Sequence, residues 1–102
     1  MAYTIINIGL ARKGKSNLTP KYVIDALHHI GVRIYRHEVK RSHTEDTFCA
    51  VIATPIASDV AYDLSEKLGQ DCIAQRVGEV GSLFGPRAAE WAPFNPEHFI
   101  LI

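Results

Sequence analysis

The sequence predicts an α+β fold, and three observations carry that reading. Apolar, β-branched runs recur at residues 2–10, 32–39, 46–55 and 70–77. Amphipathic stretches with helix start and stop signals occupy 18–31 and 56–69. Each helical stretch stands between two of the strand runs, so the order is strand, helix, strand, strand, helix, strand. At 102 residues and 47% hydrophobic, the chain fits one domain, 1–102, large enough to bury a core without metal or disulfide support.

In the first run, "AYTIINIGL", alternation puts Thr4, Ile6, Ile8 and Leu10 on one face and Tyr3, Ile5, Asn7 and Gly9 on the other, the pattern of a central strand. "ARKGKSN" is a loop. "LTPKYVIDALHHIG" reads as a helix with Thr19 as cap, Pro20 in the first turn, Val23, Leu27 and Ile30 on the apolar face and Gly31 as the stop. "VRIYRHEV" and "DTFCAVIATP" follow as strands joined by the polar "KRSHTE", which predicts an antiparallel hairpin. The second helix, "IASDVAYDLSEKLG", has Ser58 as expected cap, Ala57, Val60, Ala61, Leu64 and Leu68 on one side and Gly69 as stop; "QDCIAQRV" is the fourth strand.

Sliding the chain by 38 residues lays the first helix–strand unit on the second, matching Asp25 with Asp63, Gly31 with Gly69 and Val39 with Val77. Two such halves in this order are the split βαβ, or ferredoxin-like, plan (βαββαβ). In it, both helices cover one sheet face and the other face meets water or a partner. "GEVG" and "SLFGP" then add a C-terminal hairpin strand. The tail "RAAEWAPFNPEHFILI" begins as one helical turn, is broken by Pro93 and Pro96, and reads as a packed aromatic tail around Trp91, Phe94 and Phe99.

Charge and cysteine content narrow the classes of function. The net charge is zero, yet residues 1–41 hold eight lysines and arginines against Asp25 and Glu38, while 42–102 hold nine acids against Lys67, Arg76 and Arg87, so the two parts carry +6 and −6. Neutrality argues against a duplex nucleic acid partner, and the asymmetry suits a small phosphate ligand or attraction between two copies. Cys49 and Cys72 lie in apolar runs without metal-ligand spacing and read as buried thiols, which fits a reducing, cytoplasmic setting. The N-terminus lacks signal-peptide character, and no apolar run approaches the ~18 residues of a membrane span, so no membrane partner is expected.

The chemistry-bearing residues concentrate in "VRIYRHEVKRSHTED". Strict alternation places Val32, Ile34, Arg36 and Glu38 on one face and Arg33, Tyr35, His37 and Val39 on the other. With Ile34 toward the helices, Tyr35 and His37 look out of the open face together with Tyr3, Asn7 and Gln75. That face offers an aromatic platform, amides for base edges and an imidazole, or equally the makings of an interface. His37, His43 and Glu45 are the candidates for general acid–base chemistry, although up to ~20 Å of extended chain separates the two histidines. His28 and His29 suit a helix C-terminus. "RKGKSN" mimics a phosphate loop only loosely, preceding a helix with Arg12, Lys13 and Lys15 around Gly14, and no nucleotide-loop, metalloprotease or nucleophile-elbow motif occurs.

The segments "HEVKRSHTEDTF", "EKLGQDCIAQRVGEVGSLFGP" and "EWAPFNPEHFILI" resemble a family of small phage and prophage accessory proteins. In that family Ser-x-Thr-Glu, Gly-Gln-Asp-x-Ile-Ala, Gly-Pro and Trp-x-Pro-Phe-Asn-Pro segments recur. They fall here on Ser42, Thr44 and Glu45; Gln70, Asp71 and Gln75; Gly85 and Pro86; and Trp91, Phe94 and Asn95. By analogy of genome context, the resemblance implies a counter-defence protein that binds a cyclic di- or trinucleotide immune signal. Arg33 or Arg36 would then meet phosphate, Tyr35 would stack on a base, Thr44 with Glu45 or Asn95 would read base edges, and Ser42, Gln75 and Trp91 would complete the site. Whether the ligand is also hydrolysed is left open; an enzyme would be a metal-independent phosphodiesterase with no cofactor. The other reading is a protein-binding inhibitor of a host defence or replication protein. An uncovered sheet face and opposite charges also predict a homodimer or larger closed assembly.

Overall fold

The computed structural model describes residues 3–41, 45–91 and 99–100. The elements run β1 (Thr4–Gly9), α1 (Pro20–His29), β2 (Ile34–Arg41), β3 (Asp46–Ile52), α2 (Ser58–Lys67), β4 (Ile73–Val77) and β5 (Val80–Phe84), followed by a 3-10 turn, Ala88–Trp91. All five strands join one antiparallel sheet in the order β2-β3-β1-β4-β5, with β1 at its centre. The α+β reading therefore stands.

Local chemistry explains most of the element ends. Thr19 accepts a hydrogen bond from Tyr22 N–H at 3.2 Å and Pro20 occupies the first turn of α1, so a donor that would lack a partner is bound. Gly31, at φ +83°, ends that helix in the left-handed conformation open to glycine. The expected cap of α2 is corrected. Ala57 is the N-cap and Ser58 the first helical residue, with no side-chain cap bond. Gln75 from β4 holds the approach instead: its side-chain carbonyl accepts from Ile56 N–H at 2.8 Å and its amide donates to Ile56 C=O at 3.1 Å. The last strand begins at Val80, two residues earlier than "SLFGP" suggests, because Gly78 and Glu79 alone make the turn between Val77 and Val80.

Ile6 and Ile8 of β1, Phe48, Ala50 and Ile52 of β3 and Ile73 of β4 pack against Val23, Ala26 and Leu27 of α1 and Ala61, Leu64 and Leu68 of α2. Both helices thus share one sheet face, and burying each large aliphatic or aromatic side chain there stabilises the fold by about 1.5–3 kcal/mol.

The opposite face is not open at its centre, which corrects the expectation of an uncovered platform. Asn7 and Cys49 lie there, both buried. Asn7 donates through Nδ2 to Ile100 C=O at 2.9 Å and accepts at Oδ1 from Ile100 N–H at 2.7 Å. The side-chain amide thereby satisfies both backbone groups of a residue 93 positions away, and Phe99 beside it is buried. Of the expected aromatic tail, Phe99 is packed, Trp91 is 57% exposed, and Phe94 lies outside the described residues. Among the described residues no helix is long and apolar enough to cross a membrane.

Candidate functional site

The candidate residues of β2 are arranged by a β-bulge. Ile34 pairs with Ile52, but the next paired residue, Arg36, faces Val51, so Tyr35 is an extra residue in the strand. Every side chain after it changes face relative to strict alternation. His37 pairs with Ala50 and Val39 with Phe48, on the helix side. Arg36, Glu38 and Lys40 pair with Val51, Cys49 and Thr47, on the other side. This corrects the shared face expected for Tyr35, His37, Asn7 and Gln75. His37 leaves it for the helix side, where its ring stacks on Phe48 at 5.6 Å between centroids and 22° between planes. Gln75 leaves it as well, being opposite Ile6 and bound to Ile56.

The bulge has a second consequence. Tyr35 is 59% exposed, and the Arg33 guanidinium sits over its ring at 5.6 Å from the centroid, within the range of a cation–π contact. Among the described residues no carboxylate lies at ion-pair distance from Arg33 or Arg36. Lys40, two pleats beyond Arg36 on the same face, has Glu38 at 3.6 Å, and Arg41 has Asp46 at 3.3 Å. Among the described residues β2 has a neighbour only on its β3 side. It therefore presents a stacked Arg–Tyr pair at one end, with Arg36 next to it and the Glu38–Lys40 ion pair beyond on the same face. Lys40 was not picked out in the sequence, because strict alternation puts it on the same face as Ile34, toward the helices, and only the bulge turns it to the other side.

Glu45 has a structural task. Its carboxylate accepts from Ala11 N–H at 2.9 Å and lies where a Cβ on residue 9 would stand, so the absence of a side chain at Gly9 provides its seat. Gln70 donates to Ala11 C=O at 3.0 Å, Leu18 N–H to Leu10 C=O at 2.8 Å, and Arg12 Nε to Ser16 C=O at 2.8 Å. The basic segment "ARKGKSN" is thus a fastened loop. A turn closed by the Arg12–Lys15 bridge leaves Lys13 and Lys15 exposed. Because Gly9 faces away from the helices, the Glu45 carboxylate and the His37 imidazole lie on opposite sides of the sheet and do not converge on one reacting atom.

The remaining candidates are spread out. Trp91 donates from Nε1 to Asp71 at 3.2 Å, beside Arg87, whose guanidinium is 3.7 Å from the same carboxylate. Asp71 lies just before β4, three strands from β2, roughly 14 Å at normal strand spacing. Ser42, His43, Thr44 and Asn95 lie outside the described residues. Among the described residues no group of three or more His, Cys, Asp or Glu side chains is placed to hold a metal ion. Cys49 is fully buried and Cys72 half-buried. Burial pushes both thiols up to about 11; beside Cys49, Lys40 opposes that rise and Glu38 adds to it, and beside Cys72 the Asp71 charge adds to it. Neither has the electropositive surroundings of a reactive thiolate.

At the other edge of the sheet, a groove of about 450 Å³ runs between α2 and the end of β5, lined by residues that include Asp59, Tyr62, Asp63, Leu83 and Phe84. It is acidic at its rim and distant from β2, so it does not belong to the basic site. No protein-family model matches the chain, and no curated protein or solved structure is significantly similar to it.

Proposed function

We propose that this is a nucleotide-binding protein of ferredoxin-like type that holds an anionic cyclic di- or trinucleotide along the β2 edge. For the fold name, the support is that one strand lies between β1 and β2 and one between β3 and β4, with β5 added outside. For the ligand, the single observation that carries the reading is the Arg33–Tyr35 pair on the bulge. A base can stack on an exposed tyrosine or guanidinium plane, and Arg36 follows along the strand for phosphate.

The separation of His37 and Glu45 on opposite faces favours capture over turnover. Together with the resemblance to phage accessory proteins, this reading makes the chain a counter-defence sponge acting in the host cytoplasm. Incubation with a panel of cyclic di- and trinucleotides, followed by chromatography of the filtrate and of heat-released material, tests it. Intact ligand recovered from the protein is expected. A linear product would show an enzyme, and a filtrate undepleted by any member of the panel would overturn the reading. Stoichiometric capture of a host protein, unaffected by Tyr35→Ala, would support a protein-binding inhibitor instead.

A further inference from the structure

The edge formed by β5 differs from the β2 edge in having, among the described residues, nothing that discourages another strand. Residues Val80–Phe84, "VGSLF", carry no charge, and Val80 is 69% exposed, the most exposed large apolar residue described. Exposed edges in soluble proteins are ordinarily blunted by charge, proline or a bulge, and β5 has none of these. We infer that β5 is a self-association edge, at which two copies pair antiparallel about a two-fold axis through Ser82 to continue the sheet from one copy into the other.

The register follows from the hairpin. A two-residue turn leaves Val77 and Val80 as a hydrogen-bonded pair, so Val80, Ser82 and Phe84 turn their backbone groups toward β4 and Gly81 and Leu83 turn theirs outward. Only an axis at Ser82 sets each Gly81 against Leu83 of the second copy, so that all the outward groups on both strands are paired. That register also fits the side chains. On the face away from the helices, no side chain meets a large one, Gly81 opposite Leu83. On the helix side, Val80 of one copy comes opposite Phe84 of the other, which forms part of the groove lined by Tyr62, Asp59 and Asp63. The exposed valine and the groove are the two ends of one self-complementary surface.

Size and charge set the strength of this contact. Five residues and a shallow groove fall well below the ~1,600 Å² of a standard stable interface, so the dimer is weak and forms with rising concentration. Glu79 accompanies Val80 toward Asp59 and Asp63 of the second copy, so added salt screens a repulsion and strengthens association. β2 is less suited to this role, since it is bulged at Tyr35 and carries four charged side chains, Arg36, Glu38, Lys40 and Arg41.

Sedimentation equilibrium from micromolar to near-millimolar concentration, on the wild type and two variants of exposed Val80, tests this inference independently of any ligand. The wild type should pass from monomer to dimer, more readily in high salt. Val80→Asp adds a carboxylate facing two others and should weaken dimerisation by about tenfold or more, equivalent to 1.4 kcal/mol or above. Val80→Lys loses the same apolar contact but places an ammonium against those carboxylates, and should dimerise more readily than Val80→Asp. A wild type that stays monomeric throughout, a Val80→Asp protein that dimerises undiminished, or a Val80→Lys protein weakened like Val80→Asp would each overturn it.

Discussion

The two edges of this sheet answer the same physical problem in opposite ways. Both β2 and β5 carry backbone groups that no neighbouring strand of the described chain satisfies. β2 is eight residues long, bulged at Tyr35 and charged at Arg36, Glu38, Lys40 and Arg41. β5 is five residues long, regular and uncharged. Charge and bulge discourage β2 from meeting another strand and underlie the proposal of a phosphate-bearing ligand there; their absence underlies the proposal that β5 meets a second copy of itself. Of the +6 and −6 division of the sequence only part survives as a contrast of edges: Arg33, Arg36, Lys40 and Arg41 stand against Glu38 at the β2 side, Asp59 and Asp63 line the groove at the other, and the Arg41–Asp46 pair joins the two parts.

That contrast can be broken most forcefully at Gly85, which turns the chain off the end of β5. A Cβ there would stand against the Asp71 carbonyl oxygen, 2.5 Å from Cys72 Cα and 2.8 Å from Ser65 Oγ, and backbone cannot easily give way. Gly85→Ala should cost about 3 kcal/mol by overpacking, read from urea denaturation, and should abolish the concentration dependence of mass while Arg33 and Tyr35 still bind ligand in the folded fraction. Between the edges, Asn7→Ala would leave both backbone groups of Ile100 without their partner and should cost about 2 kcal/mol, with faster hydrogen exchange at Ile100 as its local signature.

On the β2 side, Arg33→Ala removes the cation over Tyr35 from an exposed position. Nucleotide affinity should fall about tenfold by calorimetry, with the denaturation midpoint nearly unchanged. A smaller effect separates the sheet's interior from both edges. Burial raises the Cys49 thiol from 9.0 to about 11, so the unfolded thiol ionises first as pH rises. The stabilisation it contributes is complete below pH 9 and is lost as pH climbs toward 11, by about 1 kcal/mol per pH unit at most. Urea titrations across that range should show the loss, and Cys49→Ala should flatten it.

These tests also mark what the sequence could disclose. Strand and helix positions were legible because Ile6, Ile8, Val23, Leu27, Ala61 and Leu64 repeat at the periods of their elements, and Thr19, Gly31 and Gly69 punctuate them. The bulge was not legible. An inserted residue leaves "VRIYRHEV" looking alternating on either side of Tyr35, and only the partner strand reveals that the phase has changed. Asn7 and Gln75 read as amides awaiting a ligand because their partners, Ile100 and Ile56, are distant in sequence. Glu45, which read as a base, is held by Ala11 N–H in a seat that exists because residue 9 is glycine. Tertiary hydrogen bonds of this kind leave no local pattern to detect.

Amide chemical shifts followed by NMR test the division of labour between the edges most directly, because one labelled sample reports on both. Titration with a cyclic dinucleotide or trinucleotide that the panel shows to be retained should move the resonances of Arg33–Arg41 and leave Val80–Phe84 in place. Dilution without ligand should do the reverse, moving Val80–Phe84 alone. Ligand-induced shifts centred on β5 and the acidic groove, or dilution shifts centred on β2, would contradict the assignment of a ligand edge and a self-association edge to opposite sides of the sheet.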